Sequence, residues 1–422
     1  MTARPEILQR PAAWGTAPLI GALGVVLFVA SWITIHYGFF ARGQVRDTPL
    51  YEYYGDATVH GYLPYRDFGV DYPPGALPAF VIPSLWAGPS HFSRYQQLFD
   101  VEMALCGAVI VRLVGFVLER LNASTARIAT GVAIAATAPL LLGSIMLSRY
   151  DLWPAMVTAG ALAALVAGRA RIAFALLGLA IAVKLYAGIL VPVAVAYVWR
   201  RRGRREALVC AAALAAVLVA CFGPFLVLAP HGLSDSLVRE SSRPLQIETL
   251  GSSVLLAAHQ VAGTTVTVTT SYRSQNLLGS IPDLLATLQT VAQAILLILI
   301  LTRFLRRPPE PEALVLACAA SVCAFVAFGK VLSPQFIVWL IPLVPMLRGP
   351  RSLRAGLLFV AVMVLTQVLV PHRYFKLVFD LAATETWLLV ARNLLLVILA
   401  AVLLWPERAR ASARTRTASR AT

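Results

Sequence analysis

The chain has 422 residues, of which 59% are hydrophobic and only 13% charged, with a mean hydropathy of +0.75. That composition excludes a soluble globular domain and calls for lipid as solvent. The formal net charge of +16 does not point to nucleic acid, because the arginines sit at the ends of apolar runs and in the last residues, where they read as topology signals.

In chain order, the first apolar run (about 15–40) is too long for a removable signal and lacks a small-residue cleavage site, so it is expected to stay as a span. About twelve spans follow from the hydropathy, near 16–38, 95–118, 127–147, 152–167, 172–185, 186–199, 206–229, 284–303, 311–328, 334–347, 355–371 and 387–405. The segment 73–88 is left out. It is short, and Pro73, Pro74, Pro78 and Pro83 each remove a backbone donor that lipid cannot replace. It is expected as an interfacial or re-entrant helix. For 172–199 a hairpin turning at Lys184–Tyr186 is preferred, with one long span as the alternative. The expectation is therefore an all-α, polytopic membrane protein: one domain over 1–405, with external loops 41–94 and 230–283, and a basic disordered tail, 406–422.

Arginine clusters at 169–171, 199–206, 303–309, 348–354 and 407–420 place those turns and both termini in the cytoplasm by the positive-inside rule. Six polar stretches then share the external side of the cell membrane. They are the loop 41–72, SRYD (148–151), Lys184 with Tyr186, the loop 230–283, GKVLSPQ (329–335) and PHRYFK (371–376). Ionisable groups near membrane depth are expensive and mark function. A short helix near 248–260 and strand-like chain through TTVTVTT (264–270) are expected in the long loop, which is long enough to cap a cavity. The five cysteines lie in apolar runs as small core residues. No His/Asp/Glu cluster has metal spacing and no Gly-rich nucleotide loop is present, so neither a bound metal nor a cytosolic nucleotide-sugar site is expected.

Carboxylates beside Lys184, Lys330, Arg149, Arg239 and Arg243 suit transfer from a lipid phosphate. Phosphate is already a good leaving group, so one carboxylate base and a set of cations suffice. Glycosidases need two carboxylates because their leaving group is poorer. In-line attack inverts the anomeric centre.

DTPLYEYY (47–54), GYLPYRDF (61–68) and DYPP (71–74), in that order after the first span, resemble the membrane-embedded C-type glycosyltransferases that use polyprenyl-phosphate sugars. They are similar in particular to the polyprenyl-phosphate-mannose-dependent mannosyltransferases of family 87 and their bacterial relatives. AVKLY (182–186), RPLQIETLGS (243–252) and FGKVLSPQFIVWLIPL (328–343) extend the resemblance over most of the chain. It implies an acidic base in the first external loop, by position Asp47, with Asp67 and Asp71 as rivals. It also implies donor-phosphate contacts from Lys184 and Lys330, which otherwise read as lysines snorkelling to head groups. Asp67 otherwise reads as a salt bridge or turn cap beside Arg66, and Asp71 as a cap on the proline-rich helix. Arg243 is a further phosphate candidate, and Glu248 is either a second acid or a partner of Arg243. Tyr51, Tyr54, Tyr65, Arg66, Arg149, Asp151, Gln246, Ser333, Gln335, His372 and Arg373 complete the substrate-binding candidates. The acceptor is expected to be a glycolipid or glycan, and the donor sugar mannose. A transporter or lipid-linked-sugar flippase is the alternative. Against it, there is no internal repeat, and the polar residues gather at one face rather than at mid-depth.

Overall fold

The computed structural model describes residues 15–38, 46–88 and 91–405; the tail 406–422 lies outside the described residues. Helix α1 (Thr16–Tyr37) leads into two short helices, α2 (Thr48–Val59) and α3 (Leu77–Ala87). The latter is preceded by a 3-10 turn at Pro74–Ala76. Then come the long α4 (Phe92–Arg120) and a broken stretch, α5 (Thr125–Ala136), α6 (Ala138–Leu142) and α7 (Ser144–Ser148). Pro139 in the first turn of α6 and Gly143, at φ 61°, account for the breaks. Helices α8 (Leu152–Val166), α9 (Ala170–Val183), α10 (Val191–Arg202) and α11 (Arg204–Leu228) follow.

The long loop then holds α12 (Pro230–Ser241), α13 (Leu250–Ala262) and a hairpin of β1 (Thr267–Ser271) and β2 (Ser274–Leu278), so the short helix and the strand expected there both form. Thr249 caps α13 through its hydroxyl, which accepts from the Ser252 N–H. The hairpin turns on Tyr272 and Arg273, both at positive φ, as a two-residue turn matched to strand twist requires. The chain ends in α14 (Ser280–Leu305), α15 (Pro311–Phe328), α16 (Arg351–Leu369), α17 (Tyr374–Phe379) and α18 (Ala383–Leu404).

Among the described residues, seven helices are long and apolar enough to cross a membrane: α1, α4, α11, α14, α15, α16 and α18. Each falls on an expected span. The other expected spans are shorter helices or breaks. Residues 334–347 are not an α-helix: a 3-10 turn, Pro334–Leu340, gives way to irregular turns. Pro334, Pro342 and Pro345 each lack the donor an α-helix needs.

The chain reverses at Lys184. Arg171 at the start of α9 pairs with Glu206 at 2.9 Å, and Arg202 at the end of α10 bonds the Gly168 carbonyl. The two flanks of 170–202 therefore meet at one end of the bundle, while Lys184 lies at the other. That first end is tied by arginines to main-chain carbonyls, three of them at helix ends. Arg127 bonds Leu347 and Pro345, Arg200 bonds Arg307, Arg303 bonds Leu404 and Arg348 bonds Leu121, all at 2.6–2.7 Å. A guanidinium at a helix C-terminus satisfies orphan carbonyls and opposes the helix dipole. The opposite end is built of the α2–α3 pair, the turn at 149–151, Lys184, the segment 243–249 and residues 330–339. Gly75 makes that assembly close. A Cβ there would lie 2.6 Å from the Ala182 carbonyl carbon, so only glycine lets the Pro-Pro-Gly turn press on the backbone just before Lys184.

Candidate functional site

The stretch SRYD is the hub. Helix α7 ends at Ser148, Arg149 is extended (φ −131°, ψ 143°) and Asp151 opens α8. Three successive side chains therefore leave the backbone in different directions. Arg149 forms a close ion pair with Asp47, which itself precedes α2. Tyr150 is fully buried, edge-on to Tyr51 and Tyr72. Asp151, 1% exposed, accepts on one oxygen from Lys184 Nζ at 2.6 Å and from Trp339 Nε1 at 2.7 Å.

The Lys184 ammonium sits over the rings of Tyr150 (4.7 Å), Trp339 (5.1 Å) and Phe336 (5.6 Å). Trp339 in turn is stacked on Tyr186 at 4.0 Å. A carboxylate plus ring faces compensates a cation that has left water. Lys184 still shows 15% of its side chain. Arg149 and Gln335 line a small cleft with Ser148 and Pro371. Burial lowers the Arg149 guanidinium to about 10, against the raising effect of Asp151 and Glu248.

The segment 243–249 is held as an irregular strand. The Gln246 N–H donates to the Lys330 carbonyl at 3.0 Å and its amide to Ser333 Oγ at 3.2 Å. On the other side the Ile247 N–H donates to the Gln275 carbonyl of β2. Two candidate stretches far apart in sequence, RPLQIETLGS and GKVLSPQ, are thereby adjacent. Glu248 is 1% exposed; its partner is Arg392 of α18, 3.7 Å away, rather than Arg243. Arg392 and Asn393 also bond the Glu248 carbonyl. Burial pushes the Glu248 carboxyl up to about 7, opposed by Arg392 and Arg149.

Other candidates stand apart from this cluster. Asp67 is held by its neighbour Arg66 at 2.8 Å and by the Leu63 N–H. The Arg66 bond chiefly, with that N–H, lowers its carboxyl to about 2. Asp71 fastens the first loop to the long one, contacting Arg273 of the hairpin at 3.0 Å, Arg239 at 3.5 Å and the Tyr54 hydroxyl at 3.2 Å. Tyr51 and Tyr54 are fully buried. Tyr51 stacks on Phe80 at 4.6 Å, and Tyr65 donates to the Tyr72 carbonyl; all three brace the loop from beneath. Arg243 pairs with Glu240, and Arg373 with Glu385. His372 is exposed on the turn before α17. Among the described residues no three His, Cys, Asp or Glu side chains converge as metal ligands do.

Arg392, Asn393 and Trp339 were not singled out by sequence. Trp339 reads as one more apolar residue. Arg392 carried a usable signal: it is the only charge between Glu385 and Trp405, in the middle of an apolar run.

A family model, glycosyltransferase family 87, matches residues 71–334. The chain belongs to glycosyltransferase family 87. A second model, mannosyltransferase (PIG-M), matches residues 268–405. No curated protein matches the chain. Together the two models cover most of the chain from Asp71 onward, including Asp151, Lys184, Glu248 and Lys330, while Asp47 lies upstream of both. Both are C-type membrane glycosyltransferase families, and with its apolar helices this family 87 member is a multi-pass membrane glycosyltransferase.

Proposed function

We propose that this family 87 member transfers a sugar, mannose first, from a polyprenyl-phosphate donor to a hydroxyl of a glycolipid or glycan acceptor. The Asp47–Arg149 pair carries this reading. It sets a carboxylate and a cation at the edge of a cleft, at the same end of the bundle as Lys184 and Lys330. The PIG-M match supports mannose. Asp47 takes the proton from the acceptor hydroxyl as its oxygen bonds the anomeric carbon. The bond from that carbon to phosphate breaks, and the electron pair leaves on the phosphate. Arg149, Lys184 and Lys330 supply the cations that steady it. A single in-line displacement inverts the anomeric centre.

The chemistry is assigned to the external face of the inner membrane, in a chain of about twelve spans, because the arginine-tied end is the cytoplasmic one by the positive-inside rule. The test uses the full chain in liposomes with polyprenyl-phosphate mannose and a lipid extract. Asp47→Asn is expected to lower transfer by at least about 10²-fold, read on protein shown to be folded, because the amide also weakens the ion pair with Arg149. Full transfer by Asp47→Asn overturns the base assignment. Movement of the lipid-linked sugar between leaflets, with no transfer from any polyprenyl-phosphate sugar, identifies a flippase instead.

A further inference from the structure

At the arginine-tied end, far from Asp47, helices α14, α15 and α18 leave a shallow, open-mouthed groove. Its rim carries Arg303 and Arg307, and its wall is a trough of Ala313, Ala317 and Ala320 beside Leu404. Among the described residues no acidic side chain lines it. Arg303 spends one nitrogen on the Leu404 carbonyl. The Arg307 carbonyl accepts from Arg200, while its guanidinium makes no hydrogen bond or ion pair with another described residue. The outer face of α14 next to the groove, with Ile295, Ile298 and Leu299, is exposed apolar surface in a helix long enough to span.

We propose that this groove is a binding site for an anionic phospholipid. Its phosphate lies between Arg303 and Arg307, and an acyl chain follows the alanine trough of α15. Charge complementarity selects the occupant. Basic pockets between spanning helices bind acidic head groups, and a phosphate forks well onto guanidinium groups. The other nearby candidate, the chain's own residues 406–422, holds five arginines against one glutamate and is repelled by the same rim. The trough needs small residues: a larger side chain on α15 would occupy the space the acyl chain takes.

The experiment is native mass spectrometry of the purified full chain in micelles with equimolar phosphatidylglycerol and phosphatidylcholine, and separately with soluble glycerol phosphate. The wild type is expected to retain phosphatidylglycerol at least about tenfold over phosphatidylcholine, and glycerol phosphate not at all. Arg307→Gln is expected to lower phosphatidylglycerol retention roughly fivefold, and the Arg303→Gln/Arg307→Gln pair roughly thirtyfold. Ala313→Phe, which keeps both arginines and fills the trough, lowers it as well. Arg354→Gln, an exposed arginine at the same end, leaves it unchanged. Equal retention of the two lipids overturns the proposal. So does retention of glycerol phosphate in place of lipid, or wild-type binding by both Arg307→Gln and Ala313→Phe. Arg307→Gln breaks no side-chain bond to another described residue, so the test stands even where the double variant fails to fold.

Discussion

Replacing Asp151 with alanine isolates the buried charge cluster. Its carboxylate is 1% exposed and accepts from Lys184 Nζ and Trp339 Nε1, at 2.6 and 2.7 Å. Removing one partner of a buried ion pair costs ~3–5 kcal/mol, because the other charge is left without compensation. Lys184 keeps 15% exposure and three ring faces, which lowers the expected loss to ~3 kcal/mol, roughly a hundredfold in the folding equilibrium. The double variant Asp151→Leu/Lys184→Met removes both charges and is expected within ~1 kcal/mol of the wild type. Denaturant and thermal unfolding in a mild detergent measure both. A loss below ~1 kcal/mol for Asp151→Ala, or strict additivity in the double variant, refutes the buried-pair argument. The same double variant tests the phosphate role. Folded but stripped of Lys184, it is expected to lose transfer by about 10²-fold or more, and full transfer would leave Lys184 a structural residue only.

Three further outcomes follow from the same geometry. Glu248 has a folded pKa raised to about 7 from an ordinary 4.5. Its stabilising contribution is thus fully present below pH 4.5 and lost as pH rises through about 7. Melting temperature should fall over that window by the equivalent of ~3 kcal/mol, and a Glu248→Gln variant with the same pH slope would rule this out. Gly75→Ala puts a methyl 2.6 Å from the Ala182 backbone. It should cost at least ~2 kcal/mol and reduce transfer by displacing the chain before Lys184; a wild-type melt would show that the contact yields. Arg273→Ala frees the hairpin from Asp71. The ion pair is half-exposed, so stability should change by less than ~1 kcal/mol, while amide exchange across 267–278 quickens. Unchanged exchange there would mean that Asp71 does not hold the hairpin.

Particular residues show how much of this was legible in the sequence. The long apolar runs became α1, α4, α11, α14, α15, α16 and α18 because hydropathy over a span is a local sum. The reversal at Lys184 was legible too. Arginines flank 172–199 at both ends, and the structure ties those flanks together through Arg171–Glu206 and Arg202–Gly168. Residues 334–347 carry the same apolar composition, yet their prolines stop an α-helix from forming. Tyr51 and Tyr54 could be placed in the first loop, but not inside or outside its aromatic packing, since loop tyrosines look alike whichever way they point.

By itself the sequence determined a membrane chain, its arginine-marked end and the gathering of polar stretches at the other. Composition, periodicity and charge distribution act over a few turns, so they can be read along the chain. Only the tertiary structure decided the pairings: Arg149 with Asp47, Asp151 with Lys184 and Trp339, Glu248 with Arg392 rather than Arg243, and Asp71 with the hairpin. Most of these partners lie more than a hundred residues apart. A buried charge selects whichever opposite charge the packed helices bring within a few ångströms, because nothing else nearby can replace the water it has lost.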